Sequence, residues 1–203
     1  MLKVVQAFDR APIAEIETDD ATALERKLKA AERVFKDRDG WLEPHQRIAV
    51  LRKLAALMEE KRDHLAMQIA REGGKPLADA RIEAVRAIDG VRNAADELRT
   101  FSGREIPMGL SPASDGRWAF TTREPIGVVA AISAFNHPLN LIVHQIVPAI
   151  AAGCPVIVKP AEATPLSCLD LVALVREAGL PEAWCQTLIT ADTALAERLA
   201  TDP

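Results

Sequence analysis

Four polar residues stand directly after two short apolar segments, and their side chains could take part in chemistry. Asn136 and His137 follow the run "GVVAAISAF", and Lys159 and Glu162 follow "CPVIV". If both runs are parallel strands, their carboxyl ends meet at one edge of a sheet, where ligands bind in open α/β folds. An asparagine at that edge is either a helix cap or a donor to a developing oxyanion.

Lys159 and Glu162 also have two interpretations. They are either a surface lysine and an acid near a helix amino end, or a donor and an acceptor for a ribose diol. The usual dinucleotide motif G-x-G-x-x-G follows no predicted strand, so a bound dinucleotide would need another phosphate site.

The pattern of the chain changes twice, which divides it into three parts. Residues 1–103 are charged, with apolar residues at helical spacing that predict helices over 24–35, 48–58 (extended by Leu65 and Ile69) and 77–98. Residues 104–124 are a loop followed by an exposed strand, in which Trp118 and Phe120 share a face. Residues 125–203 alternate between strand and helix in the order β-α-β-α-β-α.

The third part predicts a parallel sheet. The strands are expected at 126–135, 154–160 and 185–189, the first covered on both faces, with helices over 139–152, 164–178 and 193–200. Thr164 is the expected cap of the second helix, with Pro165 at its first position. The predicted class is therefore α/β, an amino-terminal helical layer packed on a doubly wound parallel sheet, as in an incomplete Rossmann-like domain.

Composition argues against several function classes. The net charge of −4 and the absence of a basic stripe argue against a nucleic-acid partner. No run approaches the roughly 18 apolar residues of a membrane span, so we expect a soluble cytoplasmic protein. Cys154, Cys168 and Cys185 form no CxxC pair, which predicts reduced, buried thiols and neither a disulfide framework nor a metal site.

Several segments together resemble the amino-terminal part of the aldehyde dehydrogenase superfamily. They are "REPIGVVAAISAFNHPLN", "IVPAIAAGCPVIVKPAEATPLS" and "EAGLP". The resemblance is strongest from Arg117 onward and implies NAD(P)-dependent oxidation of an aldehyde to a carboxylic acid through a cysteine thiohemiacetal. It further implies a cytoplasmic homo-oligomer, a dimer or tetramer, in which residues 104–124 contain the oligomerisation strand.

The resemblance also implies roles for individual residues. Asn136 matches the asparagine whose amide holds the oxyanion, Lys159 and Glu162 match the pair that binds the adenosine ribose, and Ile132 and Ser133 match positions near the nicotinamide ribose. A glutamate at position 162 would repel a 2′-phosphate, which favours NAD, with NADP as the alternative cofactor.

The chain departs from the family pattern in three respects. Ala134, Phe135 and His137 replace residues common in the family, and the resulting motif resembles branches that act on small polar aldehydes. The family nucleophile and base match positions beyond Pro203, and none of the three cysteines stands in the nucleophile's motif. We therefore expect these 203 residues to be inactive alone. Two alternatives remain: a non-catalytic assembly or nucleotide-binding module, and acyl-phosphate or coenzyme A-acylating chemistry on the same fold.

Overall fold

A computed structural model describes residues 1–202, with helices and strands in the following order. They are β1 (Leu2–Val5), β2 (Pro12–Ile16), α1 (Ala21–Lys36), α2 (Pro44–Glu60), α3 (Arg62–Gly73), α4 (Leu77–Glu97), β3 (Glu105–Ile106), β4 (Ala119–Phe120), β5 (Val129–Ile132), α5 (Asn140–Ala152), β6 (Val156–Lys159), α6 (Leu166–Glu177), β7 (Cys185–Thr187) and α7 (Thr193–Thr201).

Helical spacing correctly predicts α1 and α4, but the second predicted helix is two helices. The backbone departs from helical geometry at Lys61, with φ −98° and ψ 15°, so α2 ends there and α3 begins. Leu65 and Ile69 therefore lie on α3 and do not extend α2. The prediction also missed the antiparallel pair of β1 and β2 at the amino end.

The parallel sheet has the order β5-β6-β7, and helices cover both of its faces. Val156 and Val158 of β6 pack into the larger core with α2 to α6. Ile157, which points to the opposite face, packs with Leu24 of α1 and Leu199 of α7. This alternation confirms an α/β fold in which a helical layer packs on a parallel sheet. No helix in the described part of the chain could cross a membrane.

β5 is shorter and more exposed than the sequence predicts. Only residues 129–132 are paired, and of these only Ala131 is buried, while Ile132 is 47% exposed. Ala130 and Ile132 share the face of the sheet that carries Ile157, and a groove separates Ala130 from α1 and α7 on that face. β5 also lies at one edge of the sheet, where no strand within residues 1–202 pairs with its free side. The expectation that this strand is covered on both faces is therefore wrong for the described residues.

The strand expected near residue 117 is the second half of a small hairpin. β3 and β4 pair over two residues each, Glu105 with Phe120 and Ile106 with Ala119. Trp118 and Phe120 are 87% and 76% exposed. Two large aromatic side chains therefore lie on the surface of this hairpin.

A close approach fixes the carboxyl end of α5. Gly153 ends the helix in the left-handed conformation, with φ +84°. The Arg47 guanidinium reaches from α2 and donates to the carbonyl oxygen of Ala151. A Cβ on Gly153 would lie 3.0 Å from Arg47 Nη1 and 3.2 Å from Pro125 Cγ, so this position needs glycine for both conformation and space.

We predict that Gly153→Ala destabilises the fold more than Gly109→Ala. Gly109 has a similar φ of +78° but no neighbouring atom within 4 Å of an added Cβ, so it carries only the conformational cost of about 1 to 2 kcal/mol. Gly153→Ala should lose at least about 1 kcal/mol more, because the methyl group overpacks the contact with Arg47. Urea unfolding followed by circular dichroism measures both; equal losses would contradict the contact.

Candidate functional site

The parallel register places three of the predicted cofactor residues side by side. Ile132 of β5 pairs with Lys159 of β6, and the Ser133 N–H donates to the Lys159 carbonyl oxygen at 3.0 Å. Both strands therefore end at the same edge of the sheet, as the sequence predicts. Glu162 follows in the turn before α6, and its side chain is exposed.

Two polar groups at these strand ends keep unused hydrogen-bonding capacity. Ser133 is 9% exposed, yet its Oγ has no hydrogen-bond partner among residues 1–202. The half-buried Lys159 ammonium donates to the Pro160 carbonyl oxygen at 3.3 Å, which leaves two of its three donors. Because buried polar groups are normally paired, these atoms fit a ligand that carries hydroxyl groups.

Asn136 lies in a groove between the β5–α5 loop and α4, with a volume of about 560 Å³. The lining residues are Gly73, Lys75, Pro76, Asp79, Ile82, Glu83, Arg86, Phe135, Asn136 and His137. Neither Lys159 nor Glu162 lines it. The predicted site residues therefore fall into two groups along one sheet edge: a pair of strand ends, and a groove that contains Asn136.

Glu83 holds the helix that follows Asn136. Its side chain is only 1% exposed, and its Oε1 accepts hydrogen bonds from the N–H groups of Leu139 and Asn140 at 3.0 and 3.1 Å. Its Oε2 forms an ion pair with Lys75 and lies 3.3 Å from His137 Nδ1. Glu83 thus satisfies N–H groups at the α5 amino end from α4. The N-cap position of α5 is Leu139, so Asn136 is not the cap of this helix.

Glu72 holds the next helix in the same way. Its Oε2 accepts from the Leu166 N–H at 2.8 Å and its Oε1 from the Ser167 N–H at 2.7 Å. The prediction that Thr164 caps this helix is wrong, because the Thr164 Oγ1 is buried and has no hydrogen-bond partner among the described residues. A carboxylate from α3 replaces it, since two charge-assisted bonds satisfy two N–H groups at once.

The roles of Glu72, Lys75 and Glu83 were not predicted from the sequence. A signal was available, because both glutamates interrupt buried helical stripes. Glu72 follows Leu65 and Ile69, and Glu83 stands between Ala80 and Ala87. A carboxylate on a buried face is rarely tolerated without a partner, so each of these residues points to a donor on another element.

All three cysteines are buried, as predicted, and none forms a disulfide within the described residues. Burial raises the pKa of Cys168 well above its usual value and raises the pKa of Cys185 to about 12. A thiol attacks as the thiolate, so burial makes these two side chains unreactive. This supports the expectation that neither is a nucleophile.

A parallel sheet with helices on both faces and polar strand ends is the architecture of the dinucleotide-binding α/β proteins. The chain matches the aldehyde dehydrogenase family over residues 1–203. It therefore belongs to the aldehyde dehydrogenase family.

Individual relatives show the extent of the match. The 3-sulfolactaldehyde dehydrogenase of Priestia aryabhattai is 37% identical over 187 residues, which are 92% of this chain and 39% of that protein. Aldehyde dehydrogenase 21 from Physcomitrella patens, in complex with the reaction product succinate, superposes with a TM-score of 0.93 and 31% identity. The superposition covers 99% of this chain and 42% of that one.

A third relative was solved with a cofactor. Glyceraldehyde-3-phosphate dehydrogenase GapN from Methanocaldococcus jannaschii, complexed with NADP, superposes with a TM-score of 0.89 and 30% identity, over 97% of this chain and 42% of that one. The chain thus spans about two fifths of the length of the relatives it matches.

The buried Glu72 carboxyl makes a testable contribution to the pH dependence of stability. Burial raises its pKa, and the N–H groups of Leu166 and Ser167 only partly oppose this effect. The folded state therefore binds this proton more tightly than the unfolded state, whose glutamates titrate near about pH 4.3. The stability that the proton provides is complete below that value and is lost as the pH rises through the folded-state pKa.

Glutamine cannot titrate, so the stability advantage of the wild type over Glu72→Gln should shrink as the pH rises from about 4 to 7. Urea unfolding at a series of pH values measures this difference. Exposed Glu162→Gln is the control and should change stability by less than about 0.5 kcal/mol throughout. An advantage that grows with pH would contradict the assignment.

Proposed function

We propose that this chain is the cofactor-binding part of an enzyme that oxidises an aldehyde to a carboxylic acid with NAD or NADP. The observation that carries the proposal is the placement of Asn136 in an open groove at the edge where Ser133 and Lys159 end adjacent strands. In this scheme a cysteine attacks the aldehyde, and the resulting thiohemiacetal loses a hydride to give a thioester, which water hydrolyses.

The residues at the strand ends fit a dinucleotide. Lys159, with two spare donors, and the exposed Glu162 carboxylate would bind the hydroxyl groups of the adenosine ribose. Ile132 and Ser133 would lie against the nicotinamide ribose, where the unpaired Ser133 Oγ offers a donor and an acceptor. When bound, the cofactor supplies a hydride acceptor. Glu162 favours NAD, and the relative solved with NADP supports the alternative cofactor.

Asn136 would act on the aldehyde itself. Asn136 lines the groove, and the N-cap of α5 is Leu139, so Asn136 is not the cap. It would donate to the oxygen that gains negative charge as the thiolate attacks. The 3-sulfolactaldehyde dehydrogenase relative supports a small aldehyde as substrate.

The nucleophile and the base would come from sequence other than these 203 residues. Burial keeps Cys168 and Cys185 as thiols, and Cys154 is buried before β6. By itself, the chain is therefore expected to bind cofactor without oxidising aldehyde.

The proposed setting is a cytoplasmic homo-oligomer, a dimer or tetramer, that binds neither nucleic acid nor membranes. The exposed Trp118 and Phe120 on the β3–β4 hairpin support this assembly, since exposed apolar patches commonly mark protein contacts.

We predict that this chain binds NAD more tightly than NADP and that Glu162→Gln reduces the difference. Two unit charges about 4 Å apart in water interact by about 1 kcal/mol. Removing the Glu162 charge beside the 2′-phosphate should therefore change the ratio of the NAD and NADP affinities by about fivefold. Calorimetric titration measures both affinities. Glu60→Gln, an exposed change on α2, is the control. No detectable binding of either cofactor would contradict the proposed function, and an unchanged preference would contradict the role of Glu162.

For the protein that contains this chain with the family nucleophile, we predict that Asn136→Ala lowers kcat about 10²- to 10³-fold. The affinity for NAD should change little, because the lost interaction forms with the reacting oxygen. Steady-state oxidation and calorimetry separate the two effects. Asn93→Ala removes an exposed amide from α4 outside this groove and should leave kcat unchanged. An equal loss in both variants would contradict the role of Asn136.

A further inference from the structure

The imidazole of His137 contacts two groups with opposite hydrogen-bonding demands. Its Nδ1 lies 2.9 Å from the Lys75 ammonium and 3.3 Å from Glu83 Oε2. An ammonium group only donates, and a carboxylate only accepts. In a neutral ring, Nδ1 can satisfy only one of them, and the choice determines which nitrogen carries the ring proton.

The geometry favours Lys75 as the partner of Nδ1. The distance to the ammonium is that of a full hydrogen bond, whereas the distance to the carboxylate is longer. Glu83 also has other donors, since it accepts from two backbone N–H groups and from Lys75 itself. If Nδ1 carried the proton, the Nδ1–H group and the Lys75 ammonium would be two donors facing each other. This arrangement is unfavourable because the Lys75 side chain is only 16% exposed, so water cannot easily replace the lost hydrogen bond.

The other ring nitrogen is then a donor. Nε2 has no hydrogen-bond partner within the described residues, and the His137 side chain is 44% exposed in the groove that contains Asn136. The remaining charged side chains that line this groove are Asp79 and Arg86, both on the exposed face of α4. Two donors from adjacent residues, the Asn136 amide and the His137 ring, therefore line one groove.

We propose that Lys75 and Glu83 hold His137 in the neutral Nε2–H tautomer, so that its ring donates to an acceptor oxygen carried by the aldehyde beyond its carbonyl group. This inference rests on the proposed function and narrows its substrate class to aldehydes that bear such an oxygen. Asn136 binds the reacting oxygen and His137 binds the second one. Lys75 and Glu83 are positioning residues, because they act through the imidazole ring.

The tautomer can be measured on this chain without cofactor, by ¹⁵N NMR of the histidine rings at about pH 8, above the usual titration range of imidazole. The expected result for His137 is a protonated Nε2 and an unprotonated Nδ1. Because the measurement needs neither NAD nor turnover, a failure of the proposed function would leave it unaffected. A proton on Nδ1, or on both nitrogens, would overturn the inference.

Substitutions of Lys75 test whether its ammonium group determines the tautomer of His137. Lys75→Met removes the donor, so Nδ1 should take the proton and donate to Glu83. Lys75→Arg keeps a donor and should retain the wild-type tautomer. Glu72→Gln removes the matching buried carboxylate under α6 and should lower stability without changing the ring. If Lys75→Met and Lys75→Arg both leave the tautomer unchanged, Lys75 does not determine it. If Lys75→Met does not fold, a change of tautomer in Lys75→Arg would overturn the inference.

A pair of unreactive amides tests the contact with substrate. Lactamide carries a hydroxyl next to its carbonyl group, and propionamide lacks it. Lactamide should shift the His137 Nε2 resonance and bind about three- to tenfold more tightly than propionamide, as one net hydrogen bond allows. His137→Phe should remove this preference. The proposed contact would be overturned if the wild type bound both amides equally, or if neither amide shifted the His137 Nε2 resonance.

Discussion

Two buried carboxylates hold the amino ends of the two helices that follow the first strands of the sheet. Glu83 of α4 accepts from the first N–H groups of α5, and Glu72 of α3 does the same for α6. A helix amino end leaves several N–H groups unpaired and carries partial positive charge, so an ionised acceptor is well suited to it. These contacts join the helical layer to the sheet at the carboxyl ends of its strands.

The loop that carries Asn136 is fixed at both of its ends by this arrangement. Before it, the Ser133 N–H is bonded to Lys159 of the adjacent strand, and after it Glu83 holds Leu139 and Asn140. His137, inside the loop, contacts Lys75 and Glu83 from the α3–α4 side. An oxyanion donor contributes most when it is oriented before the charge develops, because no reorganisation is then needed during the reaction. In the proposed function, these contacts would give Asn136 that orientation.

Local patterns predicted the parts of the fold that depend on neighbouring residues. Apolar spacing identified α1, α4 and the strand-helix alternation, and the carboxyl ends of β5 and β6 meet as expected. The cap of α6 could not be predicted in the same way, because Glu72 and Leu166 are 94 positions apart. Thr164 carries the correct local signal, yet the distant carboxylate satisfies two N–H groups where a hydroxyl would satisfy one. Long-range polar contacts of this kind depend on packing that periodicity does not describe.

Glu72 and Glu83 lie on either side of Gly74, at the junction between α3 and α4. Docking α5 or α6 without its carboxylate in place would leave N–H groups unpaired, and burying a carboxylate without its helix would leave a charge unpaired. Partly docked arrangements are therefore costly at both helices. This junction couples the assembly of the helical layer to that of the sheet, which favours cooperative folding of the two layers over stepwise accumulation of half-packed intermediates.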